Sequence, residues 1–174
     1  NPMANNDEGP TAAVEIFDVS TGTWSFSSSM LNETQQYAGC AQIGDKLYLA
    51  GDYHPTASPE IRSQGFLQSY DLNTSNWTMK TPMPSGKKVG LAGVDALDGY
   101  LYVAGGVNRQ NRQDITDRLL RYDPVIDNWT ELASMNYERH SFTLTAFHGK
   151  LYALGGVSKE INPLTNFTDI IDSN

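Results

Sequence analysis

The sequence predicts an all-β fold built by repetition, and three observations predict it. First, an aromatic or apolar residue followed by Asp recurs as Phe17-Asp18, Tyr70-Asp71, Tyr122-Asp123 and Ile171-Asp172. The first three Asp residues are followed six positions later by Trp24, Trp77 and Trp129, and each Trp six positions later by Met30, Met83 and Met135. Second, a Leu-Tyr pair leads into glycine upstream of the later Asp columns: Leu47-Tyr48 into Gly51, Leu101-Tyr102 into Gly105-Gly106, and Leu151-Tyr152 into Gly155-Gly156. Third, no segment carries apolar residues at i, i+3, i+4 and i+7 over several turns, so no helix is expected. The Trp-to-Trp periods of 53 and 52 fix a unit of that length, the kind of period that marks arrays and propellers.

Within a unit the local patterns are those of short strands. Ser141 to Phe147 alternates polar and apolar side chains, His148-Gly149 makes a two-residue turn, and Lys150 to Leu154 returns. A third strand ends at Tyr122, Pro124 to Asn128 supplies a turn, and a fourth begins at Trp129. Four antiparallel strands per unit of about 50 residues are the sequence form of a propeller blade. The phase of the columns divides the chain into residues 1–30 (strands three and four of one blade), complete repeats 31–83 and 84–135, and residues 136–174 (strands one to three). The next Trp would fall at position 178. The chain is therefore expected to be part of a larger ring, with self-association into a composite ring as the alternative.

The glycine doublet followed by Tyr-x6-Trp resembles the kelch repeat, most closely in YDPVIDNW and RHSFTLTAFHGKLYALGG. The resemblance runs from Val14 to Asp172 and implies a partial kelch β-propeller, about three to four blades of a ring of about six. It also implies structural roles for Trp24, Trp77, Trp129, Tyr48, Tyr102 and Tyr152 between blades. Gly51, Gly105, Gly106, Gly155 and Gly156 would end the second strands. Two positions depart from the pattern. Ile171 replaces the aromatic, and Asp52 takes the second glycine position of its unit, where a residue with a Cβ must avoid positive φ.

Antiparallel order puts the 2–3 and 4–1 loops of every blade on one face and the tight 1–2 and 3–4 turns on the other. The interval from turn to glycine is six in each unit (Asp45 to Gly51, Gly99 to Gly105, Gly149 to Gly155), whereas glycine to aromatic spans 19, 17 and 16 residues. Variation concentrates on the 2–3 and 4–1 face, where loops carry binding. Ten residues before each turn stand Gln35, Val89 and Arg139, followed by Gln36, Gly90 and His140. The 2–3 loops add Tyr53, His54 and Arg62, then Asn108, Arg109, Asn111 and Arg112, then Lys159, Glu160 and Asn162. Arg109 and Arg112 suit an acidic peptide, since a guanidinium holds a carboxylate bidentately; the alternative is pairing with Asp114 and Asp117 nearby. The kelch resemblance implies an Arg in the Gln35/Val89/Arg139 column contacting acidic ligand groups, and Arg139 alone preserves it.

The same columns argue against chemistry. Cys40 aligns with Val94 and Leu144, so it is expected as a buried, inert thiol. His54, His140 and His148 belong to separate loops without metal-ligand spacing. The Asp column opens tight turns by Asx hydrogen bonding rather than holding a metal. A copper-radical oxidase of galactose-oxidase type would demand a Cys–Tyr cross-link, and a core-column Cys40 does not offer one; a sialate-mutarotase type of kelch propeller finds no support either. No catalytic residue, cofactor or metal is expected. Twelve basic against twenty acidic residues give a charge of -8, unsuited to nucleic acid or an anionic membrane. No apolar run reaches membrane-spanning length and no retained signal peptide is expected. One Cys excludes an internal disulfide and fits the cytoplasm. Five sequons, at Asn32, Asn73, Asn76, Asn128 and Asn166, are the counter-indication, for an extracellular module.

Together these readings predict a non-catalytic protein-interaction propeller. The resemblance to Kelch-like adaptors, in which BTB and BACK domains recruit a cullin ubiquitin ligase, implies substrate recognition, with ligase components engaged through domains outside this stretch. The alternative resemblance, to scruin-type kelch proteins, implies actin binding or cross-linking.

Overall fold

The computed structural model describes residues 12–31, 37–52, 64–108, 114–158 and 168–172, with Asp114 and the last segment described by backbone alone. Every regular element among them is a β-strand. β1 (Glu15–Asp18) and β2 (Thr23–Phe26) form a hairpin. β3 (Gly39–Ile43), β4 (Lys46–Ala50), β5 (Leu67–Asp71) and β6 (Asn76–Met79) follow as a four-stranded antiparallel meander. The next meander is β7 (Gly93–Leu97), β8 (Tyr100–Ala104), β11 (Leu119–Asp123) and β12 (Asn128–Leu132). Between β8 and β11 a small ribbon, β9 (Val107–Asn108) with β10 (Asp114–Ile115), stands apart. The last sheet holds β13 (Thr143–Phe147), β14 (Lys150–Leu154) and β15 (Thr168–Asp172). This is the expected all-β array of propeller blades.

Two turn chemistries hold each blade in register. In the 1–2 hairpins Asp98-Gly99 and His148-Gly149 both take positive φ, the type I′ pattern, while Gly44 alone does so in Gly44-Asp45, the type II′ pattern. In the 3–4 turns the leading carboxylate collects the next free N–H groups. Asp18 accepts from Ser20 and Thr21, Asp71 from Asn73 and Thr74, and Asp123 from Val125 and Ile126. The fourth loop residue then turns left-handed, as Gly22, Ser75 and Asp127.

The core lies between sheets rather than within one. One apolar layer joins Ala41, Tyr48, Ala50, Leu67 and Met83 to Leu101, Val103, Leu120, Tyr122 and Trp129; a second joins Tyr102, Ala104, Leu119 and Met135 to Leu144, Leu151 and Ala153. First strands of successive blades lie side by side, β3 against β7 and β7 against β13. That approach requires glycine, because a Cβ on Gly39 would lie 2.3 Å from Val94 Cγ2, and one on Gly93 2.7 Å from Phe142 Cε2.

The Trp column rivets these layers. Each Trp packs on the aromatic paired with it across the 3–4 hairpin at a centroid distance of 5.1 Å: Phe17 with Trp24, Tyr70 with Trp77, and Tyr122 with Trp129. Trp77 Nε1 donates to Ser28 O at 3.1 Å and Trp129 Nε1 to Thr81 O at 2.8 Å, each acceptor lying four residues after the Trp of the preceding blade. Trp129 is 7% exposed, Trp77 half-buried and Trp24 66% exposed, because no described residue packs on the first blade's outward side.

Cys40 corrects an expectation for the same reason. It is exposed rather than buried. Its aligned neighbours Val94 and Leu144 point at the glycines of the preceding blade, and Cys40 points where no described blade stands. Partial desolvation still pushes its thiol up, away from a nucleophilic thiolate.

Candidate functional site

The 2–3 and 4–1 loops are laced together by main-chain bonds. The 4–1 loop residues Gly90 and His140 make isolated bridges with Val107 and Val157, the residues just after each doublet. Gly106 N donates to Arg139 O of the next blade at 2.8 Å, and Ser141 N to Leu91 O of the preceding one at 2.9 Å. The residue entering each first strand is left-handed without being glycine: Tyr37, Leu91 and Ser141, with φ of 54°, 57° and 53°. This column was not recognised in the sequence, because no side-chain type is shared. Strained backbone of this kind persists where the surroundings determine it. Tyr37 is 60% exposed at this position.

Of the residues expected to contact a partner, Gln35, Gln36, Tyr53, His54, Arg62, Arg109, Asn111, Arg112, Lys159, Glu160 and Asn162 lie outside the described residues. Arg139 and His140 lie within them. Arg139 is 2% exposed; its Nη1 donates to Gly155 O at 3.1 Å, and its guanidinium stands 5.8 Å from the centre of the Phe142 ring. The resemblance implies contact with acidic ligand groups here, and an acidic group would have to displace these contacts to reach the guanidinium. His140 is half-buried, its Nδ1 2.9 Å from Ser141 Oγ. Among the glycines, Gly51, Gly105 and Gly106 are buried, and Gly155 and Gly156 are exposed at the far end. Tyr48 and Tyr102 are buried and Tyr152 half-buried.

A polar cluster on this face ties the 4–1 loop that enters the third blade to that blade's own later residues. Asn108 Nδ2 and Arg118 Nη1 converge on Gly86 O at 3.0 and 2.9 Å. Lys87 hydrogen-bonds and ion-pairs with Glu131, and Arg118 Nε lies 3.5 Å from the other Glu131 oxygen. Glu131 is held below the usual carboxylate range by the Lys87 hydrogen bond first, with both cations adding attraction. Sequence reasoning singled out Asn108 and missed the rest, since Lys87 and Glu131 are 44 residues apart.

Among the described residues no three His, Cys, Asp or Glu side chains are grouped to hold a metal, and no helix is long and apolar enough to cross a membrane. The face offers loop backbone, half-exposed cations paired with Glu131, and an exposed Tyr.

Comparison with known proteins agrees with this architecture. Residues 90–136 match the Kelch motif. Kelch repeat and BTB domain-containing protein 12 of Danio rerio is 31% identical over 84% of this chain and 24% of its own length. Kelch-like protein 31 of Homo sapiens is 39% identical over 49% of the chain and 14% of its own, and Beta-scruin of Limulus polyphemus 27% over 85% and 16%. The chain thus spans a quarter or less of these relatives. Its blades, turns and columns, with these matches, make it a kelch-repeat chain that resembles the Kelch-like adaptors.

Proposed function

We propose that these blades form the substrate-recognition part of a cullin-type ubiquitin-ligase adaptor, taking an acidic peptide or protein segment on the 2–3 and 4–1 loop face. The observation that carries this reading is the similarity, over most of the chain, to a protein whose name joins kelch repeats to a BTB domain. It is supported by a face on which the residue entering each first strand keeps the same left-handed backbone while the side chains differ from blade to blade. The residues assigned to contact are Gln35, Tyr53, His54, Arg109, Arg112, Arg139 and His140, to which the exposed Tyr37 is added. Cytoplasmic placement belongs to this reading. Affinity capture with the complete propeller tests it: cullin components and a peptide partner are expected, with capture reduced at least fivefold by Tyr37→Ala and by Arg109→Ala/Arg112→Ala. Recovery of neither would overturn it.

A second reading, actin binding, is favoured by the similarity to Beta-scruin over 85% of the chain. Co-sedimentation with filamentous actin decides between the two. The extracellular alternative rests on the sequons; Asn73, Asn76 and Asn128 are exposed. A mass loss on glycosidase treatment of protein from its native source would favour it.

A further inference from the structure

The structure assigns Asp52 a role that its column does not share. In the third and fourth blades the position is Gly106 or Gly156, with φ of 96° and 95°, and a Cβ there would meet the carbonyl oxygen of Gly90 at 2.7 Å or of His140 at 2.8 Å. Asp52 is not left-handed, so the chain leaves the second strand of its blade by another path. Its side chain is fully buried. Oδ2 accepts from Gln64 N at 2.8 Å and Oδ1 from Gly65 N at 2.6 Å.

The third blade shows what this carboxylate replaces. There Gly105 N donates to Arg118 O and Thr116 N donates to Gly106 O. In the second blade the first bond is kept, as Gly51 N to Phe66 O. The second has its counterpart in Gln64 N, which stands two residues before Phe66 as Thr116 stands two before Arg118. It goes to a side-chain oxygen instead of a main-chain one, and the other oxygen takes Gly65 as well. A carboxylate reaches further than a backbone carbonyl, and this blade has the longest glycine-to-aromatic interval, 19 residues against 17 and 16.

We propose that Asp52 is the positioning residue of this connection: a buried carboxylate clasp that fixes its neck, tying the end of the second strand to Gln64 and Gly65 ahead of β5, and so sets the aim of this part of the proposed partner face. The functional part rests on the proposed partner face; the clasp does not. Hydrogen exchange on the whole chain tests it. In Asp52→Asn the amide nitrogen faces one N–H donor, and in Asp52→Ala both acceptors are gone. Exchange at the Gln64 and Gly65 amides is expected to rise roughly tenfold or more, while the Gly51 amide and β3 to β6 keep their protection. Unchanged exchange at Gln64 and Gly65, or a rise shared equally by the whole sheet, would overturn the clasp. With a captured partner in hand, weaker capture by Asp52→Asn supports the aiming role. Full capture despite a loosened neck would overturn that role for this loop and leave the clasp standing. Failure to capture any partner, with the exchange response intact, counts against the partner reading alone.

Discussion

Asp127 does two tasks from one turn position. It accepts from Tyr122 OH at 2.5 Å within its blade and from Thr81 N at 3.0 Å in the preceding one. Burial and this bond push the Tyr122 phenol up, and the same bond holds Asp127 below its ordinary value. Asp127→Ala leaves a buried phenol without this acceptor and is expected to cost about 1–2 kcal/mol, with Asp127→Asn costing less; urea unfolding measures both. The Trp residues supply a second prediction at this scale. Acrylamide is expected to quench Trp24 most and Trp129 least, so Trp24→Phe should remove most of the accessible, red-shifted emission. An unchanged quenching curve would contradict the exposures. Local chemistry was legible: an Asp before a four-residue turn announces its own hydrogen bonds. Tertiary partners were not, since the indole of Trp129 finds its carbonyl 48 residues upstream. Cys40 shows the other limit: a sequence column gives the direction of a side chain, not whether a neighbour stands there.

At the scale of the element, the inner strands explain why their first positions are small. Gly39 and Gly93 let β3 and β7 accept Val94 and the Phe142–Leu144 pair against bare backbone. Asp95 adds a bond across the same seam, its Oδ2 accepting from Ala146 N of β13 at 2.6 Å. Gly93→Val would force these strands apart and is expected to cost about 2–3 kcal/mol by overpacking, read as a lower midpoint of thermal unfolding. Exposed Gly22, with nothing within 4 Å of its Cβ position, serves as the comparison: Gly22→Asn, a residue that tolerates positive φ, should cost well under that. Strand order and both turn types could be read from the repeat. The β9–β10 ribbon could not, because Val107-Asn108 and Asp114-Ile115 are too short to carry a periodic signal.

For the molecule as a whole, several carboxylates share one sign of response to acid. The Lys46 hydrogen bond, with turn N–H groups adding, holds Asp71 at about 2; Asp18 is lowered by Ser20 and Thr21, and Asp127 and Glu131 are lowered as described. A folded-state value below the unfolded one contributes stability above the unfolded value, and that contribution is lost as pH falls through the folded one. Stability is therefore expected to be level near neutrality and to fall from about pH 4.5 toward pH 2, with high salt blunting the part due to exposed pairs. Circular dichroism melts across that range test it. A steady gain in stability on acidification would contradict the assignment. Finally, because the apolar layers lie between sheets, the unit of cooperativity is the seam and not the blade. Such a chain behaves as a row of nearest-neighbour couplings. Loss of one seam should loosen the two sheets that share it before reaching the next, so slow-exchanging amides are expected to be densest in the sheet of β7, β8, β11 and β12, which among the described sheets has an apolar layer on either side.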